Sequence, residues 1–429
     1  MAIGTPINST SFNAALKEIY PFDKIEQEIL DGAEDPFVKS WHRIEDGGGY
    51  QWRLPVATST NVRVGASFAN AQSTASNTKN QAFLITYNQI YSVASWSGPV
   101  LQQSMGDKNA FESVVTQEME LAIAALNNKI AQQAYRTGTG SITQVSTSAN
   151  TSATASGGTQ FPLALANTTD VLMFEVGDVV VFSQTDGGAL RTGTATITGI
   201  NLTAGTISCS TTWSSAITSL STGDYVYRCS ADASAGSAAN VLQGFQSWAP
   251  PSTTSITTGD SFFGVNRSTY TSKLAGLFYD NSTFQDSVAE ALVNGMSLFQ
   301  SAGARKKLDL IVLHPNEMKK LVNDTANKVV IGAKGIDPDK AKVGLSDFSL
   351  LTDFGPVRIE QSIFQVPGFA SCISTSTWHL MTSGKPGVQE VDGIMALRVG
   401  TDDAYEARLA AVNIALGCSA PGWNGIVKF

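Results

Sequence analysis

The feature of this sequence that most constrains its fold is a 30-residue segment, 107–136, that contains neither Pro nor Gly. It is rich in Ala, Leu, Glu, Gln and Lys, which favour an α-helix. Its apolar residues recur at three- and four-residue steps and share one face: Phe111, Val115, Met119, Ala122, Leu126 and Ile130. The segment predicts a helix about 45 Å long, with Arg136 in its last turn and Gly138 and Gly140 ending it. In a chain otherwise rich in strand patterns, we interpret this helix as a spine; the alternative is an ordinary long core helix.

The length and charge of the chain limit what it can be. A chain of 429 residues is too long for one compact core, so roughly two to four domains are expected. Only 15% of the residues are charged, which suits strands, turns and surfaces that meet other protein. The formal charge of −8 argues against a dedicated nucleic-acid binder, which would carry a basic stripe. No signal peptide and no apolar run of about 18 residues is visible, so we expect no membrane span and a soluble protein folded in the cytoplasm.

The chain before the spine helix predicts an arm followed by a hairpin. Residues 1–45 carry one weak helical pattern, 17–30, which Pro21 interrupts. Such an arm is expected to lie across another part of the protein or another copy, or to fray at the terminus. Residues 46–106 predict a long two-stranded hairpin from these patterns: strands over 50–56, 61–68 and 82–96, and a polar tip over 70–80. Because a two-stranded hairpin is marginal by itself, we expect a neighbouring subunit to supply a partner surface.

The segment 141–239 differs in composition, since Gly, Ser and Thr dominate and charges are few. Short strand patterns recur in it: 171–174, 179–182, 193–200, 206–210 and 225–228. Low-complexity linkers at 147–158 and 230–240 flank these strands, so the segment predicts a small β-barrel or sandwich. Asp178 and Asp224 each follow a Gly before a strand. A turn-forming role is favoured over Ca²⁺ ligation, because no dense run of oxygen ligands surrounds them.

The remainder predicts an α/β unit. Ser282 to Gln285 has the pattern of a capping box and predicts a helix with an apolar face from Phe284 to Phe299. A buried strand over 307–313 leads into His314, and Pro315 opens a second helix. Residues 327–347 predict a mobile loop. Further strands are predicted at these positions: 355–363, 370–374, 377–381, 394–399, 405–416 and 425–429.

Residues capable of site chemistry are few. The four cysteines show no metal-ligand spacing: Cys209, Cys229, Cys372 and Cys418. The first two could form a disulfide between adjacent strands, although free buried thiols are favoured. The three histidines are His42, His314 and His379. Of these, His314 precedes a helix-opening Pro, so its ring is expected to pack or cap there, and a Cys–His pair has no support from spacing.

The sequence shows no catalytic motif. It lacks a G-x-S-x-G elbow, an H-E-x-x-H pair, a Walker loop and a dinucleotide fingerprint. Gly47 to Gly49 is interpreted as a hinge or turn. The carboxylate pairs Asp337/Asp339 and Asp402/Asp403 are interpreted as solvated turns rather than an acid–base couple. We therefore assign no catalytic, cofactor-binding or metal-binding residue and expect no enzyme.

The order of the parts is more informative than any motif. An arm, a hairpin and a spine helix ending at Tyr135–Gly140 precede an α/β region and a strand-rich C-terminus. The most specific segments are LIVLHPNEM (310–318) and APGWNGI (420–426). Together they resemble the major capsid proteins of tailed double-stranded DNA bacteriophages, which have the Hong Kong 97-type fold. The resemblance covers nearly the whole chain apart from the Gly/Ser/Thr-rich segment.

This resemblance implies an α+β fold with seven parts: an N-terminal arm (1–45), an E-loop hairpin (46–106), the spine helix of a peripheral domain (107–140), an inserted β domain on the outer shell (141–239), peripheral-domain strands (240–283), an axial domain (284–391) and C-terminal strands of both domains (392–429). It implies that the loop 327–347 points toward the hexamer and pentamer axes. Some members form a covalent Lys–Asn bond between subunits. Lys79 lies near the hairpin tip, where an ordinary solvated lysine is favoured.

The resemblance also implies the function. The chain would self-assemble as hexamers and pentamers, through its arm and E-loop, into an icosahedral shell around double-stranded DNA. Expected partners are a scaffolding protein, a portal and a decoration protein, with no cofactor, no membrane and no sequence-specific DNA binding. Because about 100 residues precede the spine helix, either a separate scaffolding protein acts or this is the mature form. The expected location is the virion capsid, assembled in the host cytoplasm.

Three other interpretations are open. An encapsulin-like compartment has the same fold and encloses cargo enzymes; the Ser/Thr-rich insertion mildly favours a phage. A secreted β-rich adhesin or glycan-binding protein would fit residues 160–230 alone, but the long helix and the absence of a signal peptide argue against it. An enzyme with an unrecognised site would need a cleft of convergent titratable groups, which the sequence does not display.

Overall fold

A computed structural model describes these residues: 34–44, 49, 51–59, 64–73, 79–97, 114–147, 161–228, 241–252, 256, 260–301, 308–326, 348–352, 355–382, 387–388, 396–398 and 404–429. Its α-helices are α1 (Pro36–Ser40), α2 (Phe68–Ser73), α3 (Val114–Tyr135), α4 (Trp213–Ala216), α5 (Phe245–Trp248), α6 (Thr271–Leu274), α7 (Val288–Ser301) and α8 (Pro315–Ala326).

Strands make up most of the remaining regular structure. Those before residue 240 are β1 (His42–Ile44), β2 (Gln51–Ser59), β3 (Lys79–Thr86), β4 (Asn88–Ser97), β5 (Thr143–Gln144), β6 (Phe161–Ala164), β7 (Val179–Ser183), β8 (Ala195–Thr196), β9 (Gly199–Asn201), β10 (Thr206–Cys209) and β11 (Tyr225–Arg228). Those after it are β12 (Ser261–Phe262), β13 (Val265–Asn266), β14 (Leu277–Asp280), β15 (Leu310–Leu313), β16 (Phe348–Thr352), β17 (Gly355–Gln361), β18 (Phe369–Ile373), β19 (Trp378–Met381), β20 (Gly387–Val388), β21 (Ala396–Arg398), β22 (Ala404–Cys418) and β23 (Gly425–Lys428).

The described residues fall into two compact units. One unit holds those within 91–126 and 387–410, and the other those within 31–90, 127–386 and 411–429. In the first unit, β20 and β21 pair antiparallel with the first half of β22. The spine helix α3 ends at Tyr135 and Gly138 has a φ of 75°, as the sequence predicted for its C-terminal end.

The core of the larger unit is a six-stranded sheet in the order β14-β23-β18-β15-β17-β16. β14 pairs parallel with β23, and β15 pairs parallel with β17, while the other neighbours are antiparallel. The C-terminal strand β23 is therefore an inner strand of the sheet. Apolar residues of α7, α8 and these strands form one buried cluster that includes Leu292, Phe299 and Ile311. This is the helix–strand–helix unit that the sequence predicted.

The segment 141–228 forms two small sheets, in the orders β6-β10-β9 and β5-β11-β7-β8. A bridge between Val145 and Leu165 joins them. The predicted strands over 179–182, 206–210 and 225–228 are present as β7, β10 and β11. The strand predicted over 171–174 is wrong, because Thr168–Met173 is a 3₁₀ helix whose Asp170 is held by Thr143. The strand predicted over 193–200 is broken into β8 and β9.

The hairpin β2–β3 is antiparallel from Gln51↔Thr86 toward Ser59↔Lys79. The prediction of a strand reaching Phe68 is wrong, since Phe68 begins α2 instead. The Ser67 hydroxyl accepts a hydrogen bond from the Asn70 backbone N–H at 3.3 Å, and such a cap favours a helical turn over a strand.

The predicted start of the following α/β helix is also wrong. The backbone N–H and hydroxyl of Ser282 both donate to Asp280 at 2.9 and 2.5 Å, so Ser282 closes a turn and caps no helix. The helix α7 starts six residues later, where Ser287 accepts from Glu290 N–H at 3.4 Å. Phe284, which we expected on the apolar face, is 66% exposed.

Candidate functional site

The tip of the hairpin exposes apolar side chains. Val64 is 84% exposed and Phe68 is 82% exposed. None of the residues of α2 is buried. A folded chain seldom leaves a phenylalanine so open, and burying one fully stabilises by about 1.5–3 kcal/mol. The tip therefore offers binding free energy to a surface that covers it.

The base of the same hairpin is fixed by aromatic packing. Phe83 is fully buried, and its ring centre lies 5.1 Å from that of Trp248 and 6.2 Å from that of Phe262. Trp52 lies so close to Gly417 that a Cβ there would come within 2.5 Å of the indole. The hairpin is thus packed at its base and apolar at its tip.

The segment 34–44, the described part of the predicted arm, packs against the core of the larger unit. Phe37 is completely buried, with its ring centre 5.0–5.8 Å from those of four aromatic residues: Trp41, Tyr135, Phe245 and Trp378. A five-residue helix and a strand form here because Asp35 caps the backbone N–H groups of Phe37 and Val38 at 2.9 and 3.2 Å, and Pro36 suits the first helical position. Residues 1–33 lie outside the described residues.

The carboxylate of Asp35 joins three parts of the fold. Besides capping α1, it accepts from the Tyr135 hydroxyl at the end of α3 at 2.8 Å and from the Ser362 hydroxyl after β17. Burial raises the pKa of Asp35 above its ordinary value, and these hydrogen bonds oppose the rise. Burial and the Asp35 charge raise the pKa of Tyr135 well above 10, so its hydroxyl is a permanent donor.

The side chain of Asn424 holds the APGWNGI segment (420–426) in place. Its Oδ1 accepts from Ser374 N–H at 2.8 Å and from the Trp378 indole at 3.0 Å. Its Nδ2 donates to Thr377 at 3.1 Å and to the Ala420 carbonyl at 3.1 Å. The amide is buried, so these bonds align the last strand with the core.

The Gly/Ser/Thr-rich segment leaves and rejoins the rest of the chain at one place. Gly140 and Val241 line the same small cavity. Asp186 accepts from the hydroxyls of Thr137 and Thr139 at 3.0 and 2.5 Å, which fixes the segment to the end of α3. Both observations are typical of a domain inserted into a loop.

Asp178 and Asp224 have the turn-forming role that the sequence favoured. Asp178 accepts from Glu175 N–H and Asp224 from Ser221 N–H, both at 2.8 Å. Sequence reasoning missed their ion pairs: Asp224 accepts two bonds from Arg191 at 2.5 and 2.7 Å, and Asp178 lies 3.0 Å from Arg228. Within the described part of the chain, no group of three or more His, Cys, Asp or Glu side chains is placed to hold a metal ion.

The histidines occupy two places. His314 caps α8, because its Nδ1 accepts from Asn316 N–H at 3.2 Å, and burial lowers its pKa. His42 and His379 are direct neighbours on the parallel strands β1 and β19, with ring centres 5.7 Å apart and ring planes at 87°. Burial, together with His42, lowers the pKa of His379. No pattern in the sequence indicates this pairing.

The described cysteines are free buried thiols. These are Cys209, Cys372 and Cys418. Burial raises the pKa of Cys372 and that of Cys418 to about 12, so both are protonated near pH 7 and are poor nucleophiles. Cys229, the two carboxylate pairs and the loop 327–347 lie outside the described residues. Lys79 pairs with Ser59 through its backbone. No helix among the described residues is long and apolar enough to cross a membrane.

Comparison with known proteins shows the fold. No protein-family model matches the sequence, and no curated protein is similar to it. A chain of the cyanophage A-1(L) capsid asymmetric unit superposes with a TM-score of 0.59 at 10% identity, over 98% of this chain and 99% of that one. The protein therefore has the fold of a phage capsid subunit, which confirms the predicted α+β, Hong Kong 97-type fold class.

Two weaker similarities accompany it. The capsid of Myoviridae phage XM1 gives a TM-score of 0.48 at 9% identity, over 99% of both chains. The SrpI encapsulin complex of Synechococcus elongatus gives 0.45 at 5% identity, over 99% of this chain and 95% of that one.

Proposed function

We propose that this chain is the major capsid protein of a tailed double-stranded DNA phage, a structural protein and not an enzyme. The observation that carries the proposal is the end-to-end superposition on a phage capsid chain, over 98% of this chain. Because it covers 98% of this chain, the superposition does not rest on one shared motif. In this role the chain assembles as hexamers and pentamers into an icosahedral shell, in the host cytoplasm, and resides in the virion.

The exposed hairpin tip supports an assembly role. Val64 and Phe68 are open to solvent in the single chain, while the base of the hairpin is fixed by Phe83 and Trp52. In a shell, each tip reaches a neighbouring copy, and repeated contacts of this kind close into rings. Each contact can be weak, because many act together.

The seven parts are assigned as follows: N-terminal arm (1–45), E-loop (46–106), spine helix (107–140), inserted β domain (141–239), peripheral strands (240–283), axial domain (284–391) and C-terminal strands (392–429). The proximity of Gly140 to Val241 supports the insertion. An inserted domain that leaves and returns at one point can project outward without disturbing the shell. We place it on the outer surface, where a decoration protein would meet it.

The remaining partners follow from the shell role. A separate scaffolding protein guides assembly and a portal occupies one vertex. The shell encloses double-stranded DNA without sequence-specific contacts, which suits a chain with a formal charge of −8.

Electron microscopy of the purified full chain tests the function, with and without its phage's scaffolding protein. The expected result is closed shells, or hexameric and pentameric rings with outward knobs. Deleting residues 141–239 should remove the knobs and leave the shells. A monodisperse monomer under every condition would overturn the capsid role. Shells without knobs in the intact protein would overturn only the placement of the insertion, and shells filled with protein cargo would favour an encapsulin.

A further inference from the structure

Two of the three histidines in this chain face each other at one point of the fold. His42 on β1 and His379 on β19 are register partners in a parallel ladder, so their side chains leave the sheet on the same face. Their ring centres are 5.7 Å apart. These residues are 337 positions apart in sequence, so only the pairing of β1 with β19 brings them together.

This separation matches two imidazoles bound to one metal ion. An imidazole nitrogen binds Zn²⁺ at about 2.0–2.1 Å, so two rings on one tetrahedral ion have centres about 5–6 Å apart. The ring planes lie at 87° to each other, so the rings do not stack. Stacked rings could not share one ligand.

A second observation points to a ligand. The Nδ1 atom of His379 is buried and has no hydrogen-bond partner among the described residues, although buried polar atoms are nearly always paired. The ring centre of Trp52 lies 6.4 Å from that of His379. A ligand bound at this point would supply the missing partner.

We propose that His42 and His379 form a two-histidine binding site for a divalent first-row transition ion of the Cu²⁺, Ni²⁺ and Zn²⁺ class, with water completing the coordination. Imidazole nitrogen suits these ions, and Cu²⁺ binds most tightly among them. His42 is exposed, so the site opens to solvent on that side. The ion joins β1, at the end of the N-terminal segment, to β19 beside the base of the hairpin.

The third histidine provides a matched control. His314 caps α8 and is buried, and Asn is a good helix cap, so His314→Asn removes one imidazole and retains the fold. His42→Ala removes an exposed ligand and leaves the core intact. His379→Gln removes the other ligand and keeps a polar side chain of similar size.

The test uses Cu²⁺ as the probe and pulsed electron paramagnetic resonance on the full chain, with calorimetric titration for affinity. The expected result is one Cu²⁺ per chain with the signature of two imidazole nitrogens. His42→Ala and His379→Gln should each weaken binding at least tenfold and leave at most one imidazole, while His314→Asn binds like the wild type. In parallel, Zn²⁺ should raise the unfolding temperature of the wild type and of His314→Asn only.

Several results would overturn the proposal. Binding that is equal in His42→Ala and the wild type would show an adventitious ion elsewhere. A spectrum with a single imidazole in the wild type would show that the two rings do not share an ion. If His379→Gln fails to fold, the exposed His42→Ala variant still decides the outcome. None of these results bears on the capsid function, because shell assembly is measured separately.

Discussion

Replacing Asp35 is the sharpest test of how the N-terminal segment is held. Asp35→Ala removes the cap of α1, which costs about 1 kcal/mol. It also leaves the hydroxyls of Tyr135 and Ser362 buried without an acceptor, at about 1–3 kcal/mol each. The expected loss in the free energy of unfolding is therefore about 3–7 kcal/mol. Asp35→Asn keeps an oxygen acceptor and removes a buried charge, so its expected loss is about 1 kcal/mol or less.

Urea unfolding followed by tryptophan fluorescence measures both variants, because Trp41 and Trp378 pack against Phe37. The effect of pH has a definite sign. The folded pKa of Asp35 is raised above its ordinary value of 3.8, so the stability this carboxyl contributes is complete below that value and is lost as pH rises through the raised pKa. The free energy of unfolding of Asp35→Asn should therefore rise relative to that of the wild type over that pH interval. A loss below 1 kcal/mol for Asp35→Ala, or equal losses for both variants, would refute this account.

Three further predictions follow from other sites. Phe68→Ser, at the 82% exposed hairpin tip, should change the unfolding free energy of the subunit by no more than about 0.5 kcal/mol and should reduce the yield of shells in electron micrographs. Ser73→Ala on α2 is the control, and normal assembly of Phe68→Ser would contradict the prediction. Asn424→Ala should lower the free energy of unfolding in urea by about 3–5 kcal/mol, because Ser374 N–H and the Trp378 indole N–H both lose their acceptor. A loss under 1 kcal/mol would contradict this prediction. Cys372 and Cys418 should react with a thiol reagent only at the rate of unfolding, since both are fully buried and have a pKa of about 12; rapid reaction in the native protein would contradict it.

Local patterns predicted the elements that local chemistry decides. The apolar spacing of Ala122, Leu126 and Ile130 predicted the buried face of α3, and all three are buried. The apolar segment 307–313, followed by Pro315, predicted β15 and then α8, because proline suits the first turn of a helix. The capsid resemblance rested on the order of such elements, and the fold confirms it.

Competing local bonds explain the boundary errors. Ser282 had the spacing of a capping residue, but Asp280 two positions earlier takes its backbone N–H and hydroxyl. Phe68 continued an alternating pattern, but Ser67 caps a helical turn. In each case a short side chain had two possible partners, and sequence spacing alone does not decide between them.

Features that depend on distant pairing were missed entirely. The bond between Ser362 and Asp35 joins residues 327 positions apart. The His42–His379 contact exists only because β1 adds parallel to β19. Neither strand carries a signal for its partner, so the register and the histidine contact become visible only in three dimensions.

The capsid function is tested most directly by cryo-electron microscopy of particles assembled from the full chain. We expect an icosahedral shell in which the Phe68 side chain of each hairpin, 82% exposed in the single chain, is buried against another copy. Particles that lack closed symmetry, or a shell in which every Phe68 still faces solvent, would contradict it.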